Sequence, residues 1–425
     1  MKDTDWLANF PEDWQELRAD FLCYPYRETV SPERFAGQAV AHYSIPQVQE
    51  TGGPLVEPAD DIDSSKLLIR RPTLLVSKLN PRKKTICIAE PQGDLPTLAS
   101  GEFVSIQSDK FDQNYAYYVW LSEKVTDRLS AIVQSATRSH QRVNPSDILK
   151  LPWKWPSLAT QERIAGFLRV KTAQIDALIA RKQALLERLV EKRQAIITQA
   201  VIQGLNPDVA MKESGFAWLG HVPSHWDVKR LKYISPRVTV GIVVTPAAYY
   251  ADEGTLALRG LNVRTMGFDL SDTRNITPEG NALNSKSTLQ AGDLVAVRTG
   301  APGTTSVIPE ELAGSNCIDL VIIRRPRGAS ERYLGWFLNS SVAHTQYAMG
   351  AEGALQQHFN VETSKEVVVT LPPPSEQFEI AKHIDEAIAS HDVQADKVRR
   401  SSELLFEYRS ALITAAVTGQ IEGLQ

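Results

Sequence analysis

Basic, amide and hydroxyl side chains occur at corresponding places in the two halves of the chain. In the first half they are Lys78, Asn80, Arg82, Lys83, Lys84, Arg138, Gln141 and Arg142. In the second half they are Arg259, Arg264, Arg298, Thr299, Gln356, Gln357 and His358. Arginine and lysine neutralise phosphate, whereas arginine, glutamine and asparagine can form paired hydrogen bonds with base edges in the major groove. These residues are therefore the candidate contacts of a nucleic-acid-binding surface in each half.

A single basic cluster is more often solvated surface than binding site, so the recurrence of these residues matters. Lys78 and Arg298 are 220 positions apart, and so are Asn80 and Gly300. A shared offset favours a shared role over chance. Because the net charge of the chain is −4, any surface that binds a polyanion must be local.

Motifs that would give the chain an enzymatic activity of its own are missing. Residues 300–304 are rich in glycine but lack the lysine of a phosphate-binding loop, so they are interpreted as a turn. The proline run at 372–374 lacks the Asp or Asn and the aromatic residue of an amino-methyltransferase motif. His221 and His225 are four residues apart, but Pro223 excludes the helix that would make them a metal-binding pair. We therefore expect neither catalytic residues nor a metal site.

The composition is that of a soluble globular protein with more than one domain. The chain has 425 residues, of which 43% are hydrophobic and 23% charged. Its three cysteines, Cys23, Cys87 and Cys317, are too far apart in sequence for a zinc knuckle, and their odd number favours a reducing compartment. No stretch approaches the roughly 20 apolar residues of a membrane span. A cytoplasmic location without a membrane anchor is expected.

The chain contains an internal repeat, and the matching residues, called anchors below, lie at the start and at the end of each domain. Near the domain starts the offset is 212 positions, where Trp6, Pro11, Trp14 and Arg18 recur as Trp218, Pro223, Trp226 and Arg230. At the domain ends the offset is 216, and it matches, among others, Gln161, Ala165 and Val201 with Gln377, Ala381 and Val417. The same offset pairs Tyr117 with Tyr333. Between the anchors, residues 19–115 and 231–331 diverge, which favours one scaffold that presents two different specificities.

Each repeat ends in a predicted long helix, over residues 156–205 and 373–425. The first has no glycine or proline between Phe167 and Gln203, and it stops at a Gly-Leu-Asn-Pro sequence. About 40 residues of helix span about 60 Å. An apolar stripe predicts that the two helices pack on each other as an antiparallel coiled coil through Ile175, Ile179, Leu186, Leu189, Ile196, Leu405 and Leu412.

The remaining segments, 1–155 and 206–372, are predicted to be globular and strand-rich. Short β-rich runs such as residues 73–76, 103–106 and 293–297 lie between turn signals, and a helical stretch comes late in each domain. The expected fold is α+β, with two such domains joined by the two helices in a pseudo-two-fold repeat.

These features resemble the specificity subunit of type I restriction–modification systems over nearly the whole chain. The segments that carry the resemblance are residues 218–226 (WLGHVPSHW), 292–300 (GDLVAVRTG), 371–377 (LPPPSEQ) and 195–201 (AIITQAV). The first half departs from the pattern at 151–156 and at Lys78-Leu79-Asn80.

The resemblance implies a role for each part. Residues 1–155 and 206–372 would be target recognition domains, each reading one half of a bipartite, asymmetric site in double-stranded DNA. The helices would fix the spacer and dock two copies of the methyltransferase subunit, with restriction subunits completing the complex. The subunit itself would be non-catalytic and hold no cofactor, because S-adenosylmethionine, ATP and Mg²⁺ act in the partner subunits.

Two other functions compete with this interpretation. A coiled-coil adaptor that binds proteins with two heads would show no salt-dependent affinity for DNA. A free-standing nuclease or methyltransferase would show cofactor-dependent activity in the isolated chain, and the missing motifs disfavour it.

Overall fold

The computed structural model describes residues 5–135, 141–349 and 360–424, and the chain divides into two compact units. Unit 1 comprises Met1–Gln183 and Arg400–Gln425, whereas unit 2 comprises Ala184–Arg399. Both boundaries fall inside long helices, so each unit contains a part of each long helix.

Unit 1 is strand-rich. Among the described residues its strands are β1 (Gln15–Arg18), β2 (Tyr24–Pro25), β3 (Thr29–Val30), β4 (Ala39–Tyr43), β5 (Leu55–Pro58), β6 (Lys66–Leu68), β7 (Thr73–Ser77), β8 (Ile86–Ala89), β9 (Thr97–Ala99), β10 (Phe103–Gln107), β11 (Gln134–Ser135), β12 (Gln141–Arg142) and β13 (Pro152–Trp155). Its helices are α1 (Ala19–Leu22), α2 (Ile45–Thr51), α3 (Gln113–Leu121), α4 (Glu123–Ala131), α5 (Pro145–Leu149) and the first part of α6 (Leu158–Gln203).

Two sheets form the body of unit 1. Strands β2, β10, β7 and β8 form an antiparallel sheet in that order, and β3, β6, β9, β4 and β5 form a mixed sheet. In β7, Leu74 and Val76 share a core with α3 and the long helices, whereas Leu75 shares a core with the second sheet. Every residue of β7 is buried for this reason, which explains a continuous apolar run where a one-sided strand would alternate.

Unit 2 is also built mainly of short strands and short helices. Among its described residues the strands are β14 (Met211–Glu213), β15 (His221–Pro223), β16 (Asp227–Arg230), β17 (Val238–Val240), β18 (Tyr250–Ala251), β19 (Thr255–Leu258), β20 (Val263–Arg264), β21 (Gly267–Phe268), β22 (Arg274–Ile276), β23 (Leu294–Val297), β24 (Thr305–Val307), β25 (Asn316–Cys317), β26 (Leu320–Ile323) and β27 (Val368–Leu371). The helices are the last part of α6, then α7 (Pro278–Leu283), α8 (Glu331–Leu338), α9 (Ser341–Met349), α10 (Val361–Glu366) and the first part of α11 (Pro374–Val417).

The sheets of unit 2 repeat one sheet of unit 1 and replace the other. Strands β17, β26, β23 and β24 follow the order of β2, β10, β7 and β8. A two-stranded pair precedes each long helix, β1 with β13 and β16 with β27. The second sheet differs, because unit 2 has β18, β22, β19 and β25 in place of the five-stranded sheet. The predicted α+β fold with a duplicated frame is confirmed.

The long helices α6 and α11 contain 46 and 44 residues. In unit 1, Asp176 accepts hydrogen bonds from Arg409 at 2.7 and 3.1 Å. In unit 2, Arg193 lies 3.7 Å from Asp392. Each helix is followed by a glycine with positive φ, Gly204 at 76° and Gly419 at 72°, a conformation that glycine adopts without strain.

The residues predicted for helix packing are buried to different degrees. Ile175 and Leu189 are buried, and the other predicted residues are half-buried, namely Ile179, Leu186, Ile196, Leu405 and Leu412. The core of unit 1 also contains Ile413, Ala416 and Val417 of α11. The core of unit 2 contains Ile197, Ala200 and Val201 of α6.

The structure shifts one match of the repeat by two residues. The Tyr115 hydroxyl donates to the carbonyl oxygen of Val417, and the Tyr333 hydroxyl donates to that of Val201. Tyr115, and not Tyr117, is therefore the counterpart of Tyr333. The offset of 216 does not hold here, because unit 1 has two more residues between Tyr115 and the start of α6 than unit 2 has between Tyr333 and the start of α11.

Two further features concern the whole described chain. No helix among the described residues is long and apolar enough to cross a membrane. The three cysteines are free and buried, and burial raises the pKa of each thiol to about 12.

Candidate nucleic-acid interface

In unit 1 a cation follows strand β7 and an acid precedes its neighbour β10. Ser77 pairs with Phe103, so Lys78 and Glu102 come together at the same end of the sheet. The Lys78 ammonium donates to the carbonyl oxygen of Gly101 at 2.6 Å and lies 3.9 Å from the Glu102 carboxylate. The lysine is thus held at the strand end by a carbonyl and a carboxylate.

In unit 2 the same place carries an arginine and an aspartate. Val297 pairs with Leu320, so Arg298 and Asp319 also meet where β23 ends and β26 begins. Nη1 of Arg298 donates to Oδ1 of Asp319 at 2.5 Å. The two ion pairs are structural equivalents, because β23 and β26 occupy the positions of β7 and β10 in sheets of the same order.

The other predicted residues of the Lys78 loop join the same group. The backbone amide of Asn80 donates to the backbone carbonyl oxygen of Gln141 at 2.9 Å. The side-chain oxygen Oδ1 of Asn80 accepts from the backbone amide of Gln141 at 3.3 Å. The Arg142 guanidinium donates to Glu102 at 2.6 Å. Lys78 and Arg142 therefore share one carboxylate, and Asn80 and Gln141, their neighbours in sequence, are hydrogen-bonded to each other.

The predicted residues 82–84 point in two directions. Arg82 and Lys83 are exposed on a 3₁₀ turn. The Lys84 ammonium donates instead to Glu123 of α4 at 2.6 Å and to Ser410 of α11 at 3.3 Å. Arg82 and Lys83 are accessible to a ligand, whereas Lys84 fastens the turn to the helices.

The remaining predicted cations of unit 2 are also paired. Arg259 donates to Asp272 at 3.0 Å and lies in the turn after β19. Arg264, in the hairpin of β20 and β21, donates to Asp269 at 2.8 Å. Thr299 is exposed next to Arg298. Four further predicted residues lie outside the described residues, namely Arg138, Gln356, Gln357 and His358.

Sequence reasoning did not identify the two acidic partners of Lys78 and Arg298. Glu102 and Asp319 each stand one residue before a buried strand and are 217 positions apart, a signal that was available in the sequence. It also missed Arg27, an exposed arginine for which the described part of the chain offers no ion-pair partner. Arg27 and Lys78 line a cleft of about 230 Å³ together with Gly101 and Ser105.

In each unit the start of a short helix contacts a long helix. The backbone amide of Glu123, at the start of α4, donates to the Thr414 hydroxyl of α11 at 3.1 Å. The amide of Ser341, at the start of α9, donates to the Thr198 hydroxyl of α6 at 3.0 Å. Thr198 and Thr414 are 216 positions apart, so the same repeat offset supplies both attachments.

Two buried tyrosines complete these attachments. Tyr115 and Tyr333 are fully enclosed, and burial raises the pKa of each phenol well above its ordinary value. Both therefore stay neutral and act as hydrogen-bond donors to the long helices.

The described residues show no metal centre. No group of three or more His, Cys, Asp and Glu side chains within 5–135, 141–349 and 360–424 could hold a metal ion. His225 lies 2.7 Å from Glu376, which also accepts from the Trp226 indole at 2.9 Å. This histidine thus belongs to the junction between β15, β16 and α11.

Sequence comparison finds two curated relatives. The chain is 24% identical over 334 residues to the type I restriction enzyme EcoBI specificity subunit of Escherichia coli, covering 75% of this chain and 68% of that protein. It is 24% identical over 303 residues to the EcoKI specificity subunit of Escherichia coli strain K12, covering 69% and 62%. The chain thus spans about two thirds of the length of these relatives. No protein-family model matches the chain.

A solved structure has the same fold. It was described in work on complex assembly and conformational transition of the type I restriction–modification system, and it matches with a TM-score of 0.75 at 15% identity. The match covers 97% of this chain and 99% of that one. The sequence likeness, the shared fold and the duplicated frame together make this chain similar to the specificity subunits of type I restriction–modification systems.

Proposed function

We propose that this chain is the DNA-recognition subunit of a type I complex and that its two units read the two halves of a bipartite, asymmetric site. The observation that carries this proposal is a repeated frame around two unlike interiors. Unit 1 adds a five-stranded sheet and unit 2 a four-stranded one. Two heads that share one sheet and differ in the other suit two different half-sites better than one repeated half-site.

The long helices would set the distance between the half-sites. Two heads that meet the same face of DNA should contact it about one helical turn, ~34 Å, apart or at a multiple of that distance. The hydrogen bonds from α9 to Thr198 and from α4 to Thr414 support a rigid attachment of each unit's short helices to a long helix. The frame is present twice, which suits the docking of two copies of a methyltransferase subunit, and restriction subunits would join this assembly.

We further propose that the chain catalyses no reaction itself. S-adenosylmethionine, ATP and Mg²⁺ would serve the partner subunits, which carry out methylation and cleavage. The role of this chain is then to bind and orient DNA. The predicted residues remain the proposed contacts, namely Lys78, Asn80, Arg82, Lys83, Arg138, Gln141 and Arg142 of unit 1, and Arg259, Arg264, Arg298, Thr299, Gln356, Gln357 and His358 of unit 2.

Methylome sequencing of the host tests the function. We expect a split, asymmetric motif whose methylation is lost when this gene is deleted and returns when the intact gene is restored. A deletion that leaves every methylated motif unchanged would contradict the proposal. In that case, absence of salt-dependent DNA binding by the purified chain would favour a protein-binding adaptor.

A further inference from the structure

The ion pairs Lys78–Glu102 and Arg298–Asp319 belong to the four-stranded sheet whose strand order both units share, and not to the second sheet, in which the units differ. Each sits at the same strand end of the equivalent four-stranded sheet. A feature that two heads share cannot be what makes their half-sites different. On DNA, the contacts that carry no sequence information are those with the phosphate backbone, which fix register and orientation.

The carboxylates neutralise cations that would otherwise attract DNA. Asp319 holds Nη1 of Arg298, and Glu102 lies against both Lys78 and Arg142. The acids remain accessible, with 46% of the Asp319 side chain and 34% of the Glu102 side chain exposed. A phosphate that approaches either pair therefore meets a negative charge before it reaches the cation.

We propose that Lys78 and Arg298 are phosphate contacts that Glu102 and Asp319 hold in position and shield until correctly placed DNA replaces the carboxylate. This inference rests on the proposed function and adds a device that lowers affinity for non-target DNA. In the exchange, a phosphate oxygen takes the place of the carboxylate oxygen and no covalent bond changes. Glu102 and Asp319 are positioning residues, because they act through the cation.

The physical basis is that non-specific binding is almost entirely electrostatic. Each phosphate neutralised by a cation contributes about −0.9 to the slope of log affinity against log salt. A cation already paired with a carboxylate contributes little to this slope. Discrimination improves when a binding surface repels the wrong partner as well as attracting the right one.

The test is Asp319→Asn in the full chain, purified with any subunits that accompany it. Asn tolerates the left-handed backbone at this position, where φ is 52°, so the variant should fold. Asp227→Asn is the matched control, because it also removes one negative charge and releases a paired cation, Lys229, in a strand of the frame. Thermal unfolding of both variants verifies that they are folded.

The measurement is the affinity for a random-sequence DNA duplex as a function of salt. We expect Asp319→Asn to bind about two- to fivefold more tightly than the original chain at about 0.1 M salt. This change in affinity corresponds to the free energy of an exposed ion pair. The salt slope should steepen by up to about one. Adding Arg298→Ala should cancel the gain, and Glu102→Gln should reproduce it in unit 1.

Three outcomes would overturn the inference: no gain, an equal gain in Asp227→Asn, or a gain that persists without Arg298. If methylation depends on the gene and these variants still bind random DNA as the original chain does, only the inference fails. If neither methylation nor DNA binding depends on the chain, the proposed function itself fails.

Discussion

The hydroxyl of Tyr115 donates a hydrogen bond of 3.0 Å to the carbonyl oxygen of Val417, a residue 302 positions away. Tyr333 makes the equivalent contact with Val201 at 3.3 Å. Each unit thus includes the end of the long helix that comes from the other half of the sequence. Unit 1 needs the last turns of α11, just as unit 2 needs the last turns of α6.

Removing the Tyr333 hydroxyl should weaken unit 2. In Tyr333→Phe, the single phenol proton that the carbonyl oxygens of Thr370 and Val201 share is lost, while Val201 keeps the Thr370 hydroxyl as a donor at 2.6 Å, so we expect a loss of about 1 kcal/mol in the free energy of unfolding. Chemical denaturation measures this loss. The control is Tyr233→Phe, since Tyr233 is 72% exposed and its replacement should have little effect. Equal stability of the two variants would show that the hydroxyl contributes nothing.

Stability should also fall at alkaline pH because of the same phenols. Burial raises the pKa of Tyr115, Tyr333 and Tyr347 in the folded chain, so the folded state retains protons that the unfolded state releases. Their contribution is complete below about pH 10, the ordinary pKa of tyrosine, and declines as the pH rises beyond it. Denaturation from pH 8 to 11 measures the decline. Tyr333→Phe should decline less steeply, and an identical profile would contradict this explanation.

His391 should be replaceable with a gain in stability. It is 6% exposed on α11, and neither ring nitrogen has a hydrogen-bond partner among the described residues. Its counterpart at the 216 offset is Ile175, which is also 6% exposed. Nδ1 of His391 lies 3.9 Å from Asp392, too far for a hydrogen bond. Because a buried polar group without a hydrogen bond is unfavourable, His391→Ile should stabilise the chain by about 1 kcal/mol. Thermal unfolding measures the gain, with the exposed His383→Ile as a neutral control, and a lower melting temperature would refute the prediction.

Exchange of the first head should alter half of the recognised motif. Replacing residues 1–155 with the corresponding domain of a type I specificity subunit, while keeping both long helices, should change one half-site and leave the other half-site and the spacer unchanged. Methylome sequencing of the host that carries the chimera provides the measurement. The reciprocal exchange of 206–372 is the control, and a change in both half-sites from one exchange would contradict the two-head proposal.

The repeat, the long helices and the α+β class were predictable from sequence because their signals are local. The glycine stop after Gln203 and the apolar stripe through Ile175 and Leu189 depend on residues within a few turns of one another. The same local signals located the cations at the ends of β7 and β23, since Lys78 and Arg298 directly follow buried apolar runs.

Only the tertiary structure decided which groups those cations and helices meet. Arg298 pairs with Asp319 through the register of two strands, and Tyr115 meets Val417 across 302 residues. Periodicity has no information about such partners, because it describes one element at a time. The two-residue shift between Tyr115 and Tyr117 has the same origin: sequence offsets count residues, whereas the hydrogen bond to the long helix depends on where the side chain lies in space.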